Sequence, residues 1–86
     1  MDLDDLLLRY FGCDDAARIP AGALAAGLER MGVDLGLETD RGRRFALWAL
    51  MHMLGAAPDL DIAFKEEADR ETARDFMDLA DRADGR

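Results

Sequence analysis

The sequence predicts an all-α protein of four helices, and three observations carry that expectation. Leu, Ala and Met dominate the apolar residues, and all three are good helix formers. Val and Ile together number only three (Ile19, Val33 and Ile62), where strands would need many more. The apolar positions recur at three- and four-residue spacings in segments closed by glycine. With 86 residues, half of them apolar and 35% charged, the chain suffices for a single domain (1–86) with one modest core.

The first helix is expected over 3–11. Leu3, Leu6, Leu7, Tyr10 and Phe11 share one face. Asp2 can cap it, Asp4 and Asp5 suit the positive end of its dipole, and Gly12 stops it. The second is expected over 20–31, with Pro20 at its first position, Leu24, Leu28 and Met31 as the buried stripe, and Gly32 as the stop. The third is expected over 37–54, ending at Gly55. Asp34 or Thr39 could cap it, and a start near Leu37 keeps Arg41, Arg43 and Arg44 out of a first turn, which prefers acids. Its run "FALWALMHML" is apolar on nearly every side, which marks the central helix of the core. The fourth is expected over 65–83. Thr72, Ala73, Phe76, Met77, Leu79, Ala80 and Ala83 form its inner stripe, and Asp and Arg spaced to pair at i, i+3 and i+4 lie outside. Residues 84–86 are expected to fray.

Composition narrows the function classes. The chain has no Ser, Asn or Gln, common sources of nucleophiles, oxyanion donors and ligand contacts, so no enzyme and no catalytic residue is expected. The missing serine also excludes an acyl carrier, which needs one for its prosthetic arm. A net charge of −8 opposes nucleic acid and anionic membrane surfaces as partners. One cysteine and one histidine cannot build a zinc site, and no cofactor is expected. The acidic start "MDLDD" is unlike a signal peptide, and no apolar run approaches the roughly 18 residues of a membrane span, so a cytoplasmic protein is expected.

An internal repeat shapes the rest. With Gly12 laid over Gly55, "YFGCDDAARI" aligns with "MLGAAPDLDI": an apolar helix end, Gly, six residues, Ile, then a new helix. The pattern resembles the EF-hand, a helix, a twelve-residue loop and a helix, used in pairs. In that family the eighth loop residue is a branched apolar one in a two-residue strand that joins the loops. Ile19 and Ile62 fit that place, so the resemblance implies two helix–loop–helix halves clipped together there by at most a minimal strand. The run 19–32 also looks like the exit from such a loop. Calcium itself is not expected. It needs six to eight oxygens from set loop positions and a Gly at the sixth. The first loop keeps only Asp14 at such a position. The second keeps Asp59 and Glu66, with Asp61 offering its carbonyl and Gly55 where the leading carboxylate belongs. A weak calcium sensor built on Asp59, Asp61 and Glu66 is the alternative function.

Several constellations have a plain reading beside a functional one. "RGRR" (41–44) is a docking spot for an acidic or phosphorylated partner, or it pairs with nearby carboxylates such as Glu38 and Asp40. His52 is a partly buried, hydrogen-bonded histidine or a pH switch. A Cys13–His52 catalytic pair is disfavoured by the aspartates beside the thiol. Glu66 and Glu67 suit the start of the last helix. Phe45, Trp48, Met51, Met53 and Met31 either fill the core or line an apolar groove on a helix too apolar for its neighbours to cover. The leading expectation is therefore a small acidic interaction or regulatory module. It would offer that groove to an amphipathic helix of a protein partner or to a second copy of the chain.

Overall fold

The computed structural model describes residues 3–83. They form α1 (Leu3–Phe11), a 3₁₀ turn (Ala16–Arg18), α2 (Ala21–Leu37), α3 (Arg41–Met53), the single turn α4 (Leu60–Ala63) and α5 (Glu67–Ala83). The fold is all-α. No described residue lies in a strand, and no described helix is long and apolar enough to cross a membrane. The molecule measures 35 × 34 × 20 Å, and its thin dimension is that of two helices.

α3 is the central element. Leu47, Trp48, Ala49, Leu50 and Met51 are buried in succession, so α3 is covered on all sides at mid-length. α1 and α2 pack on it and on each other, and α5 closes the far side. Leu6, Leu7 and Tyr10 enter the core from α1, Met31 and Leu35 from α2, Ala63 and Phe64 from the α4 region, and Ala73 from α5. Around Trp48 the core is aromatic. His52 stacks on the indole at 5.2 Å and 13°, and Phe45, Phe64 and Phe76 meet it at 5.7–5.9 Å. Such tilted pairs add stabilisation beyond the apolar area they bury.

Gly12 (φ 69°) and Gly55 (φ 78°) are the only described residues in the left-handed region. Each ends a helix there at little steric cost. The two helix stops that align in sequence are thus alike in backbone. The turns that follow them differ. After Gly12 the chain makes the 3₁₀ turn, started by Asp15, whose carboxylate accepts the Ala17 N–H at 3.0 Å. After Gly55 it runs through residues 56–59 without regular structure into α4.

The expected strand between Ile19 and Ile62 is absent. The Ile19 N–H bonds to Ala16 O at 3.3 Å and the Ile62 N–H to Asp59 O at 3.0 Å. Both amides are spent on local turns, so neither is free for a ladder. Ile19 packs against the core, whereas Ile62 is 72% exposed on α4.

Two helix boundaries also move. α2 does not stop at Gly32 but runs six residues beyond the expected end, because it carries Leu35 into the core. That burial outweighs the cost of about 1 kcal/mol for a helical glycine. α3 then starts at Arg41, not near residue 37, with all three arginines in its first turns. Asp40 supplies the missing acid, its carboxylate accepting the Arg43 N–H at 2.9 Å. Arg44 is well placed for a second reason: it reaches the C-terminal, electronegative end of α2. Arg44 donates to Leu35 O (2.6 Å) and Glu38 O (2.9 Å) and also to Ala63 O, so one guanidinium ties α2, the α2–α3 turn and α4 together. On α5, Ala73, Phe76, Met77 and Ala80 face inward, whereas Thr72, Leu79 and Ala83 face out. The readings at Asp2 and at residues 84–86 lie outside the described residues.

Candidate interaction surface

The expected groove is closed. Trp48 is 1% exposed, Met31 0% and Met51 4%; Phe45 is partly buried in the aromatic cluster, and only Met53, half exposed, reaches the surface. α1, α2, α5 and Phe64 cover α3 more fully than their small residues suggest, because Gly27 lets α1 and α2 approach closely. A Cβ at Gly27 would lie 2.2 Å from the Phe11 ring and 2.9 Å from Tyr10 O. Trp48 Nε1 is buried without a hydrogen-bond partner, the one such side-chain atom among the described residues.

The remaining candidates are occupied in local structure. Arg41 pairs with Asp69 on α5 at 2.6 Å, which raises its pKa, rather than with Glu38 or Asp40. Glu38 accepts the Thr39 and Asp40 N–H groups at 3.1 and 3.2 Å. Cys13 Sγ donates to Asp15 O at 3.3 Å. His52 has ring contacts but no hydrogen bond among the described residues. The Asp59 carbonyl accepts the Ile62 and Ala63 N–H groups of α4, Asp61 lies within α4, and Glu66 precedes α5. No group of three or more His, Cys, Asp or Glu side chains among the described residues is placed to hold a metal ion, so these three carboxylates are not brought together.

What the structure leaves open is a different surface, on α2. Gly22, Ala26, Glu29, Val33 and Leu37 follow at i, i+4, i+7, i+11 and i+15, on the side opposite buried Met31 and Leu35. All five are exposed, Val33 at 59% and Leu37 at 75%. α2 carries only three charges in 17 residues, Glu29, Arg30 and Asp34. A helix with so few charges suits an interior, yet no described residue covers this outer face. Gly22, Gly32 and Gly36 have no atom within 4 Å of where a Cβ would stand. Gly27 is explained by the Phe11 ring; no contact among the described residues explains these three.

Along one border runs a groove of ≈ 620 Å³ between α1 and α2, lined by Arg9, Tyr10, Ala26, Arg30, Val33 and Asp34, among others. Polar links fix its wall. The Tyr10 hydroxyl donates to the Asp34 carboxylate, and Arg30 donates to Tyr10 O while lying 5.7 Å over the ring. Burial, then the bond and charge of Asp34, push the Tyr10 pKa up to about 12. The two acids and two arginines at this border (Glu29, Asp34, Arg9, Arg30) balance locally on a chain of net charge −8. The sequence holds the signal for this face in "AGALAAGLERMGVDLGL". Ending the helix at Gly32 hides it, because Val33 and Leu37 then fall outside the helix whose face they complete. No protein family, curated protein or solved structure matches the chain.

Proposed function

We propose that the chain is a small, acidic, non-catalytic protein-interaction module of the cytoplasm that docks through the outer face of α2. The observation that carries this reading is the uncovered apolar helix: Val33 and Leu37 stand out from it, among glycines that no internal contact requires. Exposed apolar surface of this kind marks partner sites more often than chance. The docking surface in this reading is therefore the outer face of α2 and not the groove of Phe45, Trp48, Met51, Met53 and Met31. The same reading takes the chain as two EF-hand-like helix–loop–helix halves, α1–α2 and α3–α5, that need no ion. The paired left-handed glycines support that likeness, while the turns of Ile19 and Ile62 depart from it.

Site-specific photo-crosslinking in the source cells tests the docking face. A photoreactive residue in place of Val33 should yield covalent adducts, and the same residue in place of Asp75 on α5 should not. No adduct from position 33, or equal adducts from both positions, removes the reading.

A further inference from the structure

We propose that the partner seated on the outer face of α2 is a second copy of the chain, with the two α2 helices antiparallel about a two-fold axis between Glu29 and Arg30. This rests on the reading of α2 as the docking face and names its occupant.

Two features make the face complementary to itself. The first is shape. The N-terminal half of α2 is all small at the surface (Ala21, Gly22, Ala23, Ala25 and Ala26), and the C-terminal half carries the bulky Val33 and Leu37. Antiparallel pairing in this register sets Leu37 opposite Gly22 of the other copy and Val33 opposite Ala26. Each large side chain then meets a small residue, and open space exists there: nothing lies within 4 Å of a Cβ at Gly22. A two-fold contact requires this reciprocity, since the same patch must serve as both donor and receiver.

The second feature is charge. The same register brings Glu29 of each copy beside Arg30 of the other, so four charges close a neutral ring around the axis. Arg30 uses one Nη on Tyr10 O and keeps other N–H groups for the partner carboxylate. Two chains of net charge −8 repel in general, but this patch is locally balanced.

Sedimentation of the purified chain tests the pairing. The wild type should sediment at twice 9.5 kDa with rising concentration, and more readily in high salt, which screens the net repulsion. Leu37→Asp should weaken the dimer at least tenfold. Gly22→Glu should do the same while the thermal midpoint holds or rises, because an acid suits a helix start; this separates lost pairing from lost folding. Glu29→Arg and Arg30→Glu should each weaken the dimer, and the double variant should restore it, with circular dichroism confirming equal helicity. A chain that stays at 9.5 kDa up to about 1 mM, or a dimer indifferent to Leu37→Asp and Gly22→Glu, overturns the proposal. If position 33 still crosslinks in cells to a different protein, self-pairing falls while the docking face stands.

Discussion

α2 and α5 are each 17 residues long, and each lays one stripe against α3. Their outer faces are built on opposite principles. α5 carries nine charges, and Glu67 pairs there with Arg70 at 2.8 Å and Arg74 at 3.4 Å. It is a finished surface helix, with Leu79 as its one large exposed apolar residue, which needs no special cause. α2 carries three charges, and its outer face holds Val33, Leu37 and glycines in open space. Two helices of equal length in one small protein thus differ in what their outer sides face. One meets water with charge, and the other leaves apolar residues and glycines uncovered.

Substitutions on the inner stripes set the scale for this contrast, since both helices should respond alike there. Met31→Ala on α2 removes a side chain that is fully buried and should cost about 2–5 kcal/mol in chemical denaturation. Phe76→Ala on α5 should cost about 3 kcal/mol, less complete burial offsetting the larger ring. A small effect at Met31 would mean that α2 is not held by this stripe.

The glycines of α2 sharpen the comparison, because their signs should differ along one helix. Gly27→Ala forces a methyl into the Phe11 ring and Tyr10 O and should destabilise by about 1–3 kcal/mol. Gly36→Ala meets nothing and should stabilise the monomer by about 0.5–1 kcal/mol. Equal signs in thermal denaturation would break the assignment of inner and outer faces.

Tyr10 tests the wall between α1 and α2. Its folded pKa, about 12, lies above the ordinary 10.0. The native state therefore holds the proton longer than the unfolded chain. The stability tied to it is complete below pH 10 and is lost as pH rises through 12. Tyr10→Phe should cost about 1 kcal/mol at neutral pH and remove that part of the alkaline loss. An unchanged alkaline limb in the variant would refute the raised Tyr10 pKa.

The smallest effect belongs to the outer side of α5. Arg70 first, then Arg74, holds the Glu67 carboxyl below its ordinary value. Any stability from it is present above pH 4.5 and fades as pH falls through the lowered folded value. Glu67→Gln should shift the melting temperature only slightly, and salt should erase the shift. A large effect there would contradict the description of α5 as solvated surface.

The legible parts of the sequence are those where one local rule acts unopposed. α1 follows from a five-residue apolar stripe and a glycine stop, and its range of 3–11 is the one observed. The burial of α3 on all sides follows from an unbroken apolar run. Gly12 and Gly55 declare themselves as stops because both chain reversals need positive φ. The reading fails where a tertiary contact overrules a local rule. Gly32 would end a lone helix, but Leu35 has a place in the core and carries α2 past it. Arginines suit a first turn poorly, but Arg44 finds the carbonyls at the end of α2, which are near in space and invisible to propensity. A helix ending at Gly32 also hides the outer face of α2, because Val33 and Leu37 drop out of it, and it leaves the apolar run of α3 looking uncovered, where the structure buries Trp48 and Met51. The Ile19–Ile62 strand was a family feature laid over two turns that spend their amides locally.

Methyl NMR with a soluble paramagnetic probe compares the two outer faces in one sample. In dilute solution the Val33, Leu37 and Leu79 methyls should all be attenuated, since all three are exposed. At about 1 mM, where even a contact of about −4 kcal/mol is half populated, Val33 and Leu37 should become protected while Leu79 stays attenuated. Protection of Leu79 instead, or three methyls that remain alike at every concentration, would contradict the claim that α2 is built to be covered by a second copy.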